Sequence, residues 1–115
     1  KTGSKTAEMT KYFINSFLAT KVSFANEMKI LCDTVDIDYD KVVEYSTYDE
    51  RLGKSHWAVP GPDGDYGFGG HCLPKDVSAL VNGYDNMELL KSVLQVNDNV
   101  RKNRDWEDMK GRAVI

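Results

Sequence analysis

Cys72 is the residue of this chain whose type and setting best suit covalent chemistry. It follows the glycine-rich stretch GFGG (residues 67–70) by two positions and precedes Pro74 by two. Glycine permits backbone conformations that other residues avoid, and proline is favoured in the first turn of a helix. The pattern therefore places Cys72 between a loop and a helix, where backbone N–H groups and the helix dipole favour the nucleophilic thiolate. A plain glycine turn with an incidental cysteine fits the same residues, which by themselves leave both interpretations open.

Lys11 and Asn15 are a second pair of polar residues with a defined spacing. They are four residues apart in a segment of helical periodicity, so they stand one above the other on the same face of a helix. From these residues alone, a solvated polar face is the simpler interpretation.

Three other kinds of site are not supported by the spacing of the residues. The cysteines and histidines lack the C-x-x-C or H-x-x-x-H spacing of a zinc site and show no signature of a cysteine protease. The glycines of residues 67–70 lack the G-x-G-x-x-G spacing of a dinucleotide site and follow no predicted strand. We therefore predict no metal site and no cofactor-binding residue in this chain. The residues considered for metal binding are Cys32, His56, His71 and Cys72.

Two segments of the chain resemble the UDP-glucose/GDP-mannose dehydrogenase family. The sequence GFGGHCLPKD (residues 67–76) resembles the family's active-site motif FGG-x-C-x-PKD. The sequence AEMTKYFINSFLATKVSFANE (residues 7–27) is similar to the family's long central helix, whose K-x-x-x-N pair falls on Lys11 and Asn15. The resemblance covers nearly the whole chain but only the middle of such an enzyme. It implies an all-α central domain, with a long helix packed against shorter ones.

The chemistry that the resemblance implies is a four-electron oxidation of a sugar primary alcohol to a carboxylate. Cys72 would capture the aldehyde as a thiohemiacetal, which a second hydride transfer to NAD⁺ turns into a thioester, and Asp76 with Lys11 and Asn15 would manage the protons and the water. The expected substrate is a UDP-sugar, with GDP-mannose as the alternative. NAD would be the cofactor, bound by a domain absent from this chain, so we expect the chain alone to be inactive.

The resemblance also implies residues that bind the sugar. The sequence DERLG is similar to the family's D-x-R-[IL]-G turn, which places Arg51 where an arginine reaches the sugar, in dimeric members from the neighbouring subunit. An exposed arginine in a turn is the alternative. Asp63 and Asp65 lie in a predicted loop, residues 55–66, where some members have a lysine near the nucleotide diphosphate. The residues expected to line the sugar pocket are Phe68, Gly69 and Gly70.

Hydrophobic periodicity predicts four helices, over residues 6–33, 39–48, 74–82 and 87–103. The expected capping residues are Ser4 or Thr6, Asp38, and Asp85 with Glu88 in capping-box spacing.

The first predicted helix carries an aromatic stripe, which we interpret as core or dimer interface rather than as a ligand site. Cys32 falls on the same stripe, so we expect it to be buried, whereas Lys21 is expected at the surface. A second hypothesis follows, namely a helical dimerisation module, a homodimer without chemistry of its own. The aromatic residues of the stripe are Phe13, Phe17 and Phe24.

The composition is that of one ordinary globular domain. The chain has 115 residues, a net charge of −3 and a pI near 5.3, which argues against a nucleic-acid partner. No apolar run approaches the length of a membrane span, and two cysteines are too few for a disulfide framework, so we expect a reducing, cytoplasmic setting. We predict a single domain over residues 1–115, with its core in 5–104 and a linker to a missing domain from 105–115. The chain is expected to be an excised segment.

Overall fold

The computed structural model describes residues 2–70 and 72–102, with side chains from residue 4 onward. These residues form four α-helices and one 3-10 turn, and they contain no β-strand. The helices are α1 (Thr2–Thr34), α2 (Tyr39–Ser46), α3 (Cys72–Gly83) and α4 (Glu88–Val100), and the 3-10 turn spans Glu50–Leu52. The predicted all-α fold class is confirmed. The predicted linker, residues 105–115, lies outside the described residues, as does His71.

Helix α1 is the longest element of the structure. Its 33 residues give a length of about 50 Å at 1.5 Å per residue, which matches the longest dimension of the chain, 48 Å. Neither Gly nor Pro occurs between Ser4 and Thr34, so nothing in the sequence interrupts the helix. The helix begins before the predicted capping residues, and the prediction that Ser4 or Thr6 caps it is wrong. No helix within the described residues is long and apolar enough to span a membrane.

The predicted starts and caps of the three shorter helices differ in their outcome. The Asp38 carboxylate accepts hydrogen bonds from the backbone N–H groups of Asp40 and Lys41, so the predicted cap of α2 is confirmed. Helix α3 begins at Cys72, two residues earlier than predicted. Helix α4 follows Met87, which makes no capping hydrogen bond through its side chain, and the predicted capping box at its start is wrong. The reason is Asn86, whose φ of +64° turns the chain between the two residues expected to form the box.

Two clusters of buried side chains hold the helices together. The first joins α1, α3 and α4 through Ala19, Phe68, Val77 and Val93. The second joins α1, α2 and the following loop through Ala25, Cys32, Tyr39 and Val59. The predicted burial of Cys32 is confirmed, because its exposed fraction is only 4%.

Lys21 is buried, and the prediction that it lies at the surface is wrong. Its exposed fraction is 7%, and its ammonium group donates a hydrogen bond of 3.0 Å to the carbonyl oxygen of Leu52. The same nitrogen lies 4.6 Å from the centre of the Trp57 ring. A long aliphatic stem can be buried when its charged end finds a carbonyl and an aromatic face. Through its hydrogen bond to Leu52, Lys21 therefore links the 3-10 turn to α1.

Candidate active site

The packing of α3 against α1 brings together Asn15 and Asp76, two of the residues expected to take part in catalysis. The side-chain amide of Asn15 donates a hydrogen bond of 2.7 Å to Asp76 Oδ2, although the residues are 61 positions apart. Asp76 has an exposed fraction of 0%. A buried carboxylate normally needs hydrogen-bonding partners, and Asn15 supplies one from the neighbouring helix.

The second carboxylate oxygen of Asp76 keeps an accepting position open. Asp76 Oδ1 is buried and forms no hydrogen bond with the described residues. The ammonium group of Lys75 lies 3.5 Å away, close enough for an ion pair but not hydrogen-bonded to this oxygen. The buried hydroxyl of Ser16, next to Asn15 in the chain, also lacks a partner among the described residues. A carboxylate oxygen that accepts no hydrogen bond is able to accept a proton or to orient a water molecule.

Cys72 is exposed and lies one helical turn before Asp76 on α3. The two residues are four positions apart, so their side chains lie on the same face of the helix. The other cysteine, Cys32, is buried, and both are free thiols. The thiol that follows the glycines is therefore the accessible one, with a carboxylate one turn away.

Lys11 lies one turn before Asn15 on α1 and is exposed. Its ammonium group is 5.6 Å from the centre of the Tyr12 ring. Within the described part of the chain, Lys11 forms no ion pair with Asp76. Of the four residues expected to be catalytic, the structure thus joins two by a hydrogen bond and places the other two one turn away along each helix.

The glycine loop, residues 67–70, is held by two buried asparagines that the sequence analysis did not single out. The side-chain oxygen of Asn97 accepts from the Phe68 N–H at 2.6 Å, and its amide nitrogen donates to the Phe68 carbonyl oxygen at 2.9 Å. The side-chain oxygen of Asn26 accepts from the Gly67 N–H at 3.0 Å. Their signal in the sequence is an asparagine on the core-facing side of a helix: Asn97 follows Val93 by one turn, and both are buried.

The three residues expected to line the sugar pocket lie in this loop in different environments. The Phe68 side chain is buried in the first core cluster, so packing accounts for it in this chain. Gly69 and Gly70 are half-buried. A Cβ atom built on Gly70 would meet no atom within 4 Å, so there is open space beside it. Their role in binding a sugar stays a prediction.

Arg51 lies in the 3-10 turn and is directed into solvent, with 88% of its side chain exposed. Its guanidinium group donates to Asp49, with a distance of 2.6 Å between Nη2 and Oδ2. This hydrogen bond holds the pKa of Asp49 below its usual range. No ion pair joins Arg51 to Asp76 within the described residues, and its role toward a sugar stays a prediction.

The two acidic residues of the long loop have a structural partner, Arg101. Its buried guanidinium group lies 2.6 Å from Asp63 Oδ2 and 3.6 Å from Asp65 Oδ2, and it donates to the Tyr66 carbonyl oxygen at 3.4 Å. The hydrogen bond from Arg101 lowers the pKa of Asp63. Asp63 and Asp65 therefore bind the loop to the end of α4, which the sequence analysis missed.

Comparison with known proteins gives the chain a family. Residues 5–99 match the sequence profile of the UDP-glucose/GDP-mannose dehydrogenase family, central domain. The chain is 44% identical over 102 residues to UDP-glucose 6-dehydrogenase YwqF of Bacillus subtilis, covering 85% of this chain and 22% of that protein. It is 42% identical over 96 residues to UDP-glucose 6-dehydrogenase of Pseudomonas aeruginosa, covering 79% of this chain and 20% of that protein. For UDP-glucose 6-dehydrogenase AglM of Haloferax volcanii the identity is 37% over 103 residues, covering 85% and 23%.

The matched region contains both motifs and the helices that bring Asn15 to Asp76. The chain spans about a fifth of the length of these curated relatives. It belongs to the UDP-glucose/GDP-mannose dehydrogenase family and corresponds to its central domain.

Proposed function

We propose that this chain is the part of a UDP-glucose 6-dehydrogenase that carries the catalytic cysteine, Cys72. The observation that supports the proposal most is the hydrogen bond between Asn15 and Asp76, one helical turn from an exposed thiol. Two motifs that are distant in the sequence thus meet in one place. The names of the relatives favour UDP-glucose as the substrate, with GDP-mannose as the alternative within the family. We propose a cytoplasmic location on the same basis.

The described residues do not fit an NAD site of the usual kind. They contain no β-strand, and the glycines of residues 67–70 lack the spacing that places a diphosphate at a helix N-terminus. NAD would therefore be bound by a domain that this chain does not contain.

The groups of this chain would hold the reacting carbon of the substrate. The Cys72 thiolate would add to the carbonyl carbon of the aldehyde, forming a C–S bond, while the carbonyl oxygen takes up a proton to give a thiohemiacetal. NAD⁺ held by another domain would supply the oxidation, accepting one hydride from the primary alcohol to give the aldehyde and a second hydride from the thiohemiacetal, which also loses its hydroxyl proton, to give the thioester. Water would attack its carbonyl carbon, the C–S bond would break, and the products would be the carboxylate and the free Cys72 thiol.

Three neighbouring side chains would assist these steps. Asp76 Oδ1, which accepts no hydrogen bond from the described residues, would accept a proton from the attacking water, and Asn15 would hold the other oxygen in a fixed orientation. Lys11, one turn before Asn15, would supply a positive charge for the oxyanion of the adduct.

A chimaeric enzyme tests this proposal. Residues 5–99 would replace the matching segment of YwqF from Bacillus subtilis, which is 44% identical to this chain. We expect the chimaera to turn over continuously when UDP-glucose and NAD⁺ are added, forming NADH and the carboxylate product, whereas its Cys72→Ser variant should not sustain turnover. The matched control is Cys32→Ser, which should retain activity because Cys32 is a buried packing residue.

The chimaera results would contradict the proposal in two cases. The first is a Cys72→Ser chimaera as active as its parent. The second is a chimaera that unfolds cooperatively on heating, and so is folded, but does not oxidise UDP-glucose.

A second function, dimerisation, is supported by the outer face of α1. The core-facing residues Ala19 and Asn26 lie on the far side of the helix from a stripe of exposed apolar side chains. A row of exposed apolar side chains along one helix is typical of a protein–protein interface. We define the α1 apolar stripe by the following residues: Met9, Phe13, Phe17, Phe24 and Leu31.

We propose that two copies of the chain pair through the α1 apolar stripe, whose most exposed member, Phe13, has 74% of its surface uncovered. Light scattering at ~100 μM protein should give the mass of a dimer. Phe17→Lys should give a monomer, whereas Leu89→Lys, at an exposed apolar position on α4, should leave the dimer intact. A monomeric wild-type chain at this concentration would contradict the proposal.

A further inference from the structure

We propose that Asn97 is a positioning residue for Cys72. In this proposal the Asn97 side chain fixes the backbone of Phe68 and thereby sets where the chain enters α3, whose first residue is Cys72. The proposal rests on the proposed role of Cys72 as the nucleophile. Within the described part of the chain, no hydrogen bond joins the Asn97 side chain to the Cys72 thiol. Asn97 would therefore act through the glycine loop, residues 67–70.

The contacts of Asn97 match both hydrogen-bonding groups of one backbone residue. Its oxygen accepts from the Phe68 N–H at 2.6 Å and its nitrogen donates to the Phe68 carbonyl oxygen at 2.9 Å. An asparagine amide is planar and carries an acceptor and donors side by side, so it forms both bonds from one orientation. Asn97 is fully buried, and hydrogen bonds away from water hold their geometry tightly.

The fit between Asn97 and the loop leaves no spare room. Gly67 has a φ of +72°, and a Cβ atom built on it would overlap the side-chain oxygen of Asn97. The same Cβ atom would lie 3.2 Å from a methyl carbon of Val100. This steric contact is a separate observation from the two hydrogen bonds. It shows that the backbone of Gly67 lies in direct contact with the Asn97 amide.

Phe68 connects this contact to Cys72. Its side chain packs in the first core cluster with Val77 of α3, so Phe68 is fixed through its N–H, its carbonyl group and its ring. Only three residues separate Phe68 from Cys72, and two of them are Gly69 and Gly70. Because the Phe68 ring packs in the same core cluster as Val77 of α3, the backbone that Asn97 holds is coupled to the helix whose first residue is Cys72.

The test compares two variants of Asn97 with a control on the same helix. Asn97→Leu has a similar shape and forms neither bond, whereas Asn97→Asp accepts from the Phe68 N–H but, when ionised, does not donate to the carbonyl group. The control is Asn99→Leu, since Asn99 is exposed and its side chain accepts a hydrogen bond from Gln95 on the same helix.

The readout is the rate at which iodoacetamide labels each cysteine, followed by mass spectrometry between about pH 6 and pH 9. A synthetic peptide with the sequence of residues 67–76 serves as the unstructured reference for Cys72. Buried Cys32 reports unfolding, because it reacts only when the core opens. Hydrogen exchange at the Phe68 amide reports whether its bond to Asn97 is intact.

We expect wild-type Cys72 to react faster than the peptide near neutral pH, with Cys32 protected. In Asn97→Leu, Cys72 should react about twofold to fivefold more slowly near pH 7 and its pH profile should approach that of the peptide, while Cys32 stays protected. Asn97→Asp should give an intermediate rate, a partial rescue by the group that retains one bond. The Asn99→Leu control should match the wild type.

Two results would overturn the positioning role. In the first, Asn97→Leu loses the protection of the Phe68 amide and yet keeps the wild-type labelling profile of Cys72. In the second, Asn97→Leu unfolds, as reported by rapid labelling of Cys32, and the folded Asn97→Asp variant labels Cys72 like the wild type. If wild-type Cys72 reacts no faster than the peptide, the proposed role of Cys72 and the inference both fail. A fast Cys72 that is insensitive to Asn97 refutes the inference alone.

Discussion

Gly67 faces the side chain of Asn97 so closely that Gly67→Ala should destabilise the chain far more than an ordinary glycine substitution. A Cβ atom at this position would overlap the Asn97 oxygen and approach Val100 to 3.2 Å. The backbone is also left-handed, with a φ of +72°. Gly64 is the matched control, because its φ of +81° is similar but a Cβ atom there would meet nothing within 4 Å.

The expected free-energy costs follow from these two environments. At Gly64 the only cost of the alanine is that of a left-handed backbone conformation, about 1 to 2 kcal/mol. The lower entropy of the unfolded chain partly offsets this cost. At Gly67 the Asn97 amide must also move, which leaves the buried N–H and carbonyl groups of Phe68 unpaired at about 1 to 3 kcal/mol in total. We therefore expect Gly67→Ala to cost about 2 to 4 kcal/mol, and Gly64→Ala about 1 kcal/mol.

Urea unfolding followed by circular dichroism would measure both costs at one fixed protein concentration, since self-association shifts apparent stability. The decisive comparison repeats Gly67→Ala in a chain that already carries Asn97→Ala. With the amide removed, the overlap with Asn97 disappears and only the approach to Val100 remains, so the cost of the alanine should fall toward the value found at Gly64. Costs at Gly67 that equal those at Gly64, or that do not change when Asn97 is shortened, would refute the steric argument.

Three further predictions concern ligand binding, thiol reactivity and alkaline stability. Calorimetry should detect no micromolar binding of NAD⁺ to this chain; a measurable heat of binding would overturn the assignment of the NAD site to another domain. Iodoacetamide near pH 7 should label Cys72 at least ~10-fold faster than buried Cys32, and equal rates would show that the core does not protect Cys32. Burial raises the pKa of Tyr39 to about 12, above the usual value near 10, so the folded state holds this proton more tightly than the unfolded chain. The contribution of Tyr39 to the free energy of unfolding should therefore be constant below about pH 10 and fall between about pH 10 and 12, a decline that Tyr39→Phe removes and the exposed-site control Tyr45→Phe keeps.

The features that could be predicted from the sequence are those that depend on neighbouring residues. The helical periodicity of α1, the capping of α2 by Asp38 and the burial of Cys32 all follow from patterns within a few turns of one helix. The contact between Asn15 and Asp76 is of another kind, because 61 residues separate them. Only the resemblance to a family placed them at one site, since nothing in the local pattern of either residue names its partner.

The features that were missed are polar residues with partners far away in the chain. Lys21, Asn97 and Arg101 were expected on solvated faces or given no role, because a charged or amide side chain is most often exposed. Each is buried, and each hydrogen-bonds to a backbone carbonyl of a loop or turn. Loop backbone has no periodicity from which its position can be deduced, so these partners could not be deduced from the sequence.

The contacts that hold the long loop, residues 55–66, have a consequence for limited proteolysis. Proteases cut segments that can leave the body of the protein as extended chain, and a loop rich in Gly and Pro is an ordinary target. This loop is held near one end by the hydrogen bond of 2.6 Å from the Tyr39 hydroxyl to the Trp57 carbonyl oxygen, and near the other by Arg101. Between these points, Gly61 and Asp65 close a backbone turn on themselves with a hydrogen bond of 2.9 Å. Despite its composition, the loop should therefore be a poor protease substrate, and the replacement of Arg101 should expose it to cleavage.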